Sequence, residues 1–192
     1  MTAMEIEVSA EAKDKRLNRA VAITVVTLSV VMGLGNIKDG NIVQAMDQAK
    51  ADSVDSWNEY QAIKTKTHIA RTARMQIAVL ARSAPAAATL ARPAIASLDA
   101  DMKRYATEAP AMADKARQLA ANYDALNVHD DQFDASEALL STAISIAAVA
   151  ALVESTWVLA GAWLFALCGL AMSVCGFAGL AFHPDWLSTV LG

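Results

Sequence analysis

The sequence predicts an all-α integral membrane protein with three transmembrane helices and a long antiparallel helical hairpin, similar to a coiled coil, between the first and second of them. Of its 192 residues, 55% are hydrophobic and 19% are charged, whereas soluble domains average roughly 45–50% and 25%. Alanine, which has the lowest cost in a helix, occupies 42 positions, and Gly40 is the only glycine between Asn36 and Ala160. Three long apolar stretches complete the pattern. This composition excludes an all-β fold and a dinucleotide-binding fold.

The first apolar stretch, residues 20–37, predicts the first transmembrane helix. It lacks charge until Lys38 and approaches the roughly 20 residues that a helix needs to cross a bilayer. The tail of residues 1–19 ends in four basic residues, Lys13, Lys15, Arg16 and Arg19. Basic residues beside a span favour the cytoplasm, so we expect a cytoplasmic N-terminus. A cleaved secretory signal is the alternative, although its apolar core would be shorter, at about 7–15 residues.

Two further stretches, residues 137–154 and 157–182, predict the second and third transmembrane helices. Only the residues from Glu154 to Thr156 separate their apolar parts, which suits a tight turn between antiparallel helices. The second stretch is short for a span, so a buried helix of a soluble protein is its alternative. Residues 183–192 form a C-terminal tail. With three spans, this tail lies on the side opposite the N-terminus.

Residues 38–136 predict an extramembrane helical hairpin. Apolar residues in its second arm alternate steps of four and three over about four heptads, as in helices that pack in a left-handed supercoil. They are Leu98, Met102, Tyr105, Ala109, Met112, Ala116, Leu119, Tyr123 and Leu126. This stripe keeps its phase across Pro110, so we expect the proline to kink the arm without ending it.

The first arm, residues 41–82, contains neither proline nor glycine. Its apolar residues recur at mostly helical spacing: Ile42, Met46, Ala49, Trp57, Tyr60, Ile69, Ala73, Ile77 and Leu80. Pro85 and Pro93 are expected to bracket the turn between the arms. Because two helices bury only one stripe, the remaining apolar area should pack on neighbouring copies. The alternative is a compact bundle that turns at Pro93 and Pro110.

Charge is segregated along the predicted hairpin. Six basic residues and no acidic residue lie between Tyr60 and Leu98, whereas eight acidic and four basic residues lie from Asp99 to Asp134. The spacing puts Lys64, His68 and Arg71 on one helix face, and Arg74 follows. This group is a candidate contact for an anionic partner, either a lipid surface or an acidic protein. The alternative is a solvated face that keeps the arms soluble.

Small residues recur along the predicted spans. In the third span they step by three and four, and in lipid such spacing lets helix backbones approach closely. The candidate packing or oligomer contacts there are Ala166, Gly169, Ser173 and Gly176. Together with the stripe of the second arm, these residues predict a homo-oligomer or a subunit of a larger membrane complex.

No catalytic residue, cofactor or metal site is predicted. The three histidines are scattered, and no phosphate-binding loop, nucleophile elbow or zinc-protease motif occurs. His129, Asp130, Asp131 and Asp134 form a local cluster of hard ligands; we interpret it as the acidic cap of a helix, with a divalent-ion site as the alternative. The net charge of -4 argues against a nucleic-acid partner, and no small-molecule substrate is predicted.

The layout resembles a bacterial family of membrane proteins described as domain of unknown function 4337. The resemblance lies in DSWNEYQAIK at residues 55–64 and FDASEALL at residues 133–140, and the shared layout covers about residues 19–182. The turn from Glu154 to Thr156 departs from the family by lacking basic residues. The resemblance implies a membrane protein and no activity.

Three classes of function follow. The leading expectation is a non-enzymatic, multi-pass protein of the bacterial inner membrane, with a periplasmic hairpin, that self-associates as a scaffold or accessory subunit. The second is an oligomeric pore or transporter, lined by Ser141, Thr142, Ser145 and Glu154. An enzyme is the third.

Overall fold

The structure is a computed structural model that describes residues 3–83, 85–180 and 182, and the side chains of residues 15–82, 88–180 and 182. It contains three helices, α1 (Ala3–Ser83), α2 (Pro85–Leu152) and α3 (Thr156–Ala178), and no strand within the described residues. The all-α prediction is therefore confirmed. Each helix includes a segment long and apolar enough to cross a membrane. The C-terminal tail predicted for residues 183–192 lies outside the described part of the chain.

Proline positions explain where α2 begins. Pro85 is its first residue, a position where the missing N–H has no helical partner to lose and the fixed φ already suits a helix. Pro93 and Pro110 both lie inside α2. The prediction that Pro93 borders the turn between the arms is therefore wrong, because the helix continues through it. The alternative of a bundle that turns at Pro93 and Pro110 fails for the same reason.

The turn between α2 and α3 is short and is held by backbone hydrogen bonds. Glu154 has the left-handed φ of 50°, and the N–H of Ser155 donates to the carbonyl of Ala150 at 3.1 Å. Helix α3 ends in the same way at Gly179, whose φ is 65°. Glycine has no Cβ to oppose this conformation, so it suits the end of a helix.

The chain divides into two compact units, which we call unit 1 and unit 2. Unit 1 contains the described residues of Met1–Ala45 and Ala125–Gly192, and side chains from all three helices pack in it. Its two apolar clusters consist of Leu17, Val21, Ala147, Ala150, Leu159 and Ala162, and of Leu28, Leu140, Ala143 and Ala166. The indole Nε1 of Trp163 also donates to Thr24 Oγ1 at 3.0 Å, which joins α3 to α1.

Unit 2 is Met46–Asp124 and consists of the second half of α1 and the first half of α2. Polar contacts between described residues help to join the two segments. Lys50 lies over the ring of Tyr123, Ser53 Oγ donates to the carbonyl of Ala116 at 3.0 Å, and Arg74 pairs with Asp99 at 2.6 Å. Residue numbers rise along α1 as they fall along α2, so the segments run in opposite directions.

Candidate functional site

Five carboxyl side chains of unit 1 lie close enough to influence one another, and we call them the carboxyl cluster. Asp39 comes from α1, and Asp130, Asp131, Asp134 and Glu137 come from α2. Asp39 and Asp130 share a hydrogen bond, and the charges of Asp134 and Glu137 act on Asp39. Two carboxyl groups can share a hydrogen bond only when one of them carries a proton. The hydrogen bond between Asp39 and Asp130 therefore favours the protonated form of Asp130.

Burial and neighbouring charge both favour the protonated forms of Asp39, Asp130 and Asp134. Burial, followed by the hydrogen bond with Asp39 and its charge, raises the pKa of Asp130 from 3.8 to about 6. The pKa of Asp39 is raised mainly by burial. The pKa of Asp134 is raised by burial and then by the charges of Asp130 and Asp131. The pKa of Asp130 thus lies closer to neutral pH than that of an ordinary aspartate.

The structure changes the interpretation of this acidic region. We predicted that His129, Asp130, Asp131 and Asp134 would cap a helix, but α2 runs without a break from Pro85 to Leu152. No helix begins among these residues, so the capping interpretation is wrong. Among the side chains that the structure describes, no group of three or more His, Cys, Asp or Glu is placed to hold a metal ion.

Gln132 connects this part of α2 to the segment that follows α3. Its side chain is fully buried, and its Nε2 donates to the carbonyls of Leu180 at 2.7 Å and Phe182 at 2.6 Å. Its Oε1 lies 3.1 Å from His129 Nδ1. A buried amide must satisfy its polar atoms, so Gln132 fixes the chain just beyond the end of α3.

The small residues predicted on the third span lie at a contact inside unit 1. Ala166, Gly169, Ser173 and Gly176 are all buried. Ser136 Oγ of α2 donates to the carbonyl of Gly169 at 2.9 Å and lies 2.7 Å from Ser173 Oγ. A Cβ on Gly176 would come within 2.8 Å of the Phe133 ring. These residues join α3 to α2 of the same chain.

A different face of α2 remains exposed in unit 1. Ala138, Ser141, Thr142, Ser145 and Ala148 all lie on it, and we call it the hydroxyl face. Its three hydroxyl groups donate to carbonyl oxygens within α2 at 2.7–3.1 Å. Their polar atoms are thereby satisfied without water, as an apolar surrounding requires.

The exposed faces of the other two helices carry larger side chains. In α1 they include Ile23 and Val30, which are 61% and 58% exposed, and in α3 they include Leu164 and Leu167, at 64% and 66%. The hydroxyl face is distinguished by three hydroxyl groups in close succession, although Val149 and Leu152 are also exposed on that side of α2.

In unit 2, the predicted stripe of α2 faces inward to different degrees. Ala109 and Ala116 are buried, together with Ala113. The larger members are half-buried: Leu98, Met102, Tyr105, Met112, Leu119 and Tyr123, with Leu126 in unit 1 also half-buried.

The facing stripe of α1 was found only in part from the sequence, which identified Met46, Ala49, Tyr60 and Ile77. From Met46 to Ala81 it alternates steps of three and four, and every member is buried or half-buried. Its members are Met46, Ala49, Ser53, Ser56, Tyr60, Ile63, Thr67, Ala70, Arg74, Ile77 and Ala81. Trp57, Ile69 and Leu80 are instead exposed, so the apolar residues used to predict this helix do not all share its buried face.

The predicted anionic-partner residues separate into two groups. Lys64, His68 and Arg71 are exposed on one face of α1. Arg74 belongs to the buried stripe, where its Nε donates to Asp99 at 2.6 Å. The structure thus brings three of the four residues together and pairs the fourth with α2.

Sequence reasoning also missed Asp39, Gln132 and Ser136. The position of Asp39 in the sequence could have revealed it. Asp39 comes just after the first apolar stretch, and Asp130 and Asp134 come just before the second. Helices that run in opposite directions place such positions at the same level.

The family model described as "Domain of unknown function (DUF4337)" matches residues 17–179. The chain belongs to this family. The resemblance inferred from residues 55–64 and 133–140 is therefore confirmed. No curated protein and no solved structure matches the chain.

Proposed function

We propose that this chain is a non-enzymatic integral membrane protein that self-associates as a scaffold or accessory subunit of a membrane complex. In this proposal three helices span a bacterial inner membrane and the N-terminus is cytoplasmic. Unit 2 forms a periplasmic antiparallel hairpin with coiled-coil-like packing. The membrane-length apolar segments of α1, α2 and α3 support the spans, and the basic residues before residue 20 support the orientation.

The hydroxyl face of α2 is the observation that carries the proposal of self-association. In lipid, helices associate through close packing of small residues and not through the hydrophobic effect. The small residues of α3 are already used within the chain, where Gly169 and Gly176 contact Leu140 and Phe133. The small side chains still exposed in the span of α2 are those of the hydroxyl face. We therefore place the contact between copies there.

The mass of the full chain in a mild non-ionic detergent tests this proposal. We expect a multiple of the 20.3 kDa chain, measured by light scattering with the bound detergent subtracted. Ser145→Leu puts a larger side chain on the hydroxyl face and should shift the population toward the monomer. A wild-type protein that is a clean monomer would overturn the proposal.

Thr27→Leu is the matched control. Thr27 is also an exposed hydroxyl residue in the predicted span region, but it lies on α1. This substitution should leave the mass unchanged. An equal loss of assembly in Thr27→Leu and Ser145→Leu would show that the hydroxyl face is not the contact.

A pore is the second candidate, and the same hydroxyl face supports it. Several copies that place Ser141, Thr142 and Ser145 around a common axis would line a polar path. Ion flux into vesicles containing the full chain should then change in Ser145→Leu and in Glu154→Gln. Flux that is the same in wild type and both variants would exclude this candidate.

A further inference from the structure

The exposed face of α1 in unit 2 combines cations with apolar side chains, and we call this face the mixed strip. It consists of Lys64, His68, Arg71, Met75, Val79 and Arg82, all of them exposed. Their steps of four, three, four, four and three keep them within an arc of about 80° around the helix. They therefore form one continuous strip along about five turns.

Charge on the mixed strip has one sign. No acidic residue lies between Tyr60 and Asp99, and Asp99 is engaged by Arg74, which lies in the buried stripe and not on the strip. Lys64, Arg71 and Arg82 therefore present their charges without an acidic neighbour in their own stretch of sequence. Such a surface complements a partner that carries negative charge.

The apolar members indicate the kind of partner. Met75 is 54% exposed and Val79 is 65% exposed. An open hollow of about 460 Å³ lies between Met75, Gln76, Val79 and Leu80. A face that only kept the helix soluble would not need these side chains. On a helix that lies in the interface of a bilayer, apolar side chains enter the boundary between headgroups and acyl chains, and the long stems of Lys and Arg keep their charged ends at the level of the phosphates.

We propose that the mixed strip binds the surface of an anionic bilayer. Lys64, Arg71 and Arg82 contact lipid phosphates, while Met75 and Val79 enter the region between headgroups and acyl chains. This inference goes beyond self-association and does not depend on it, because every residue of the strip lies in unit 2.

Binding of the full chain to vesicles tests the proposal. The protein is held in nanodiscs of phosphatidylcholine and mixed with vesicles of phosphatidylcholine containing either phosphatidylglycerol or no anionic lipid, and flotation measures the bound fraction. We expect binding to the anionic vesicles only, with a loss as salt rises. Failure of the wild-type protein to bind anionic vesicles at low salt would overturn the proposal.

Two variants identify the strip as the contact. Arg71→Gln combined with Arg82→Gln should weaken binding to anionic vesicles by about 30-fold. Its control is Lys115→Gln combined with Arg117→Gln, which removes the same charge from exposed positions of α2 and should bind like the wild type. Equal effects of the two pairs would show that net charge, and not the strip, determines binding.

The apolar contribution has its own matched pair. Val79→Ser should weaken binding by about tenfold, whereas Val54→Ser, the same substitution at another exposed position of α1, should leave it unchanged. Helix content measured by circular dichroism should be equal in all variants.

An acidic protein is the competing partner. Capture of the chain by soluble polyglutamate, without binding to anionic vesicles, would favour such a partner and overturn the bilayer proposal. The mass of the chain in detergent is measured separately, so failure here leaves the test of self-association unaffected.

Discussion

At the scale of single residues, the raised pKa of Asp130 predicts that the stability of unit 1 depends on pH. Because the folded-state pKa of Asp130 is about 6 against an ordinary value of 3.8, the folded state binds the proton of Asp130 more tightly than the unfolded state. The resulting stabilisation is fully present below pH 3.8 and is lost as the pH rises through about 6. The raised pKa values of Asp39 and Asp134 act in the same direction.

Asp130→Asn should remove most of this pH dependence. Asparagine keeps a hydrogen-bond donor for Asp39 but never becomes charged, so we expect a higher melting temperature than wild type at pH 7 and a smaller fall between pH 4.5 and pH 7.5. Thermal unfolding of the full chain, followed by circular dichroism in detergent, measures both. Asp47→Asn, at an exposed position of unit 2, leaves the carboxyl cluster intact and serves as the control. Parallel curves for wild type and Asp130→Asn would contradict the raised pKa of Asp130.

Gly176 provides a second test at this scale, since it determines how closely α3 approaches α2. An added Cβ would meet the ring of Phe133 at 2.8 Å, and that ring also packs edge-on against Phe177. We expect Gly176→Ala to lower the free energy of unfolding by about 1–3 kcal/mol.

Gly161→Ala is the matched control in the same helix. A Cβ at Gly161 meets nothing within 4 Å, and alanine favours a helix more than glycine does. This variant should be as stable as wild type or slightly more stable. If Gly176→Ala proves equally harmless in chemical unfolding, α2 and α3 do not approach as closely as the structure shows.

At the scale of elements, unit 2 depends on small side chains between two helices. Ala116 is completely buried, and its carbonyl accepts a hydrogen bond from Ser53. Such an approach leaves no space for a larger residue.

We expect Ala116→Leu to push the helices apart and to lower the free energy of unfolding by about 1–3 kcal/mol. Ala120→Leu makes the same change one turn away at an exposed position and should be close to neutral in thermal unfolding. The assignment of this stripe would be contradicted if the order of the two variants were reversed.

Composition and periodicity predicted some of these elements and missed others for identifiable reasons. The apolar stretches and the scarcity of glycine were enough for the all-α class. The buried stripe of α1 was found only in part because Ser53, Ser56 and Thr67 occupy it, and a search for large apolar residues passes over them. The prediction that Pro93 borders the turn was wrong because a proline inside a helix usually kinks or ends it, whereas here α2 continues.

The candidate site residues were likewise predicted where local spacing decides their position and missed where a long-range contact does. Local spacing placed Lys64, His68 and Arg71 on one face, because helical periodicity alone decides that. It could not show that Arg74 pairs with Asp99, or that Asp39 joins Asp130, because these contacts connect residues far apart in the chain.

At the scale of the whole molecule, the proposed topology of three spans with a cytoplasmic N-terminus predicts that Gln76 and Glu154 are accessible from opposite sides of the membrane. Cysteine labelling tests this in a background of Cys168→Ala and Cys175→Ala. Gln76→Cys, at an exposed position of unit 2, should react with a membrane-impermeant maleimide added to cells whose outer membrane is opened. Glu154→Cys, exposed in the turn, should react only after the inner membrane is also permeabilised.

The opposite pattern would reverse the orientation, since basic residues before the first span would then have failed to hold the N-terminus inside. Labelling of both positions from the same side would require an even number of crossings between them and would exclude a span formed by the end of α2.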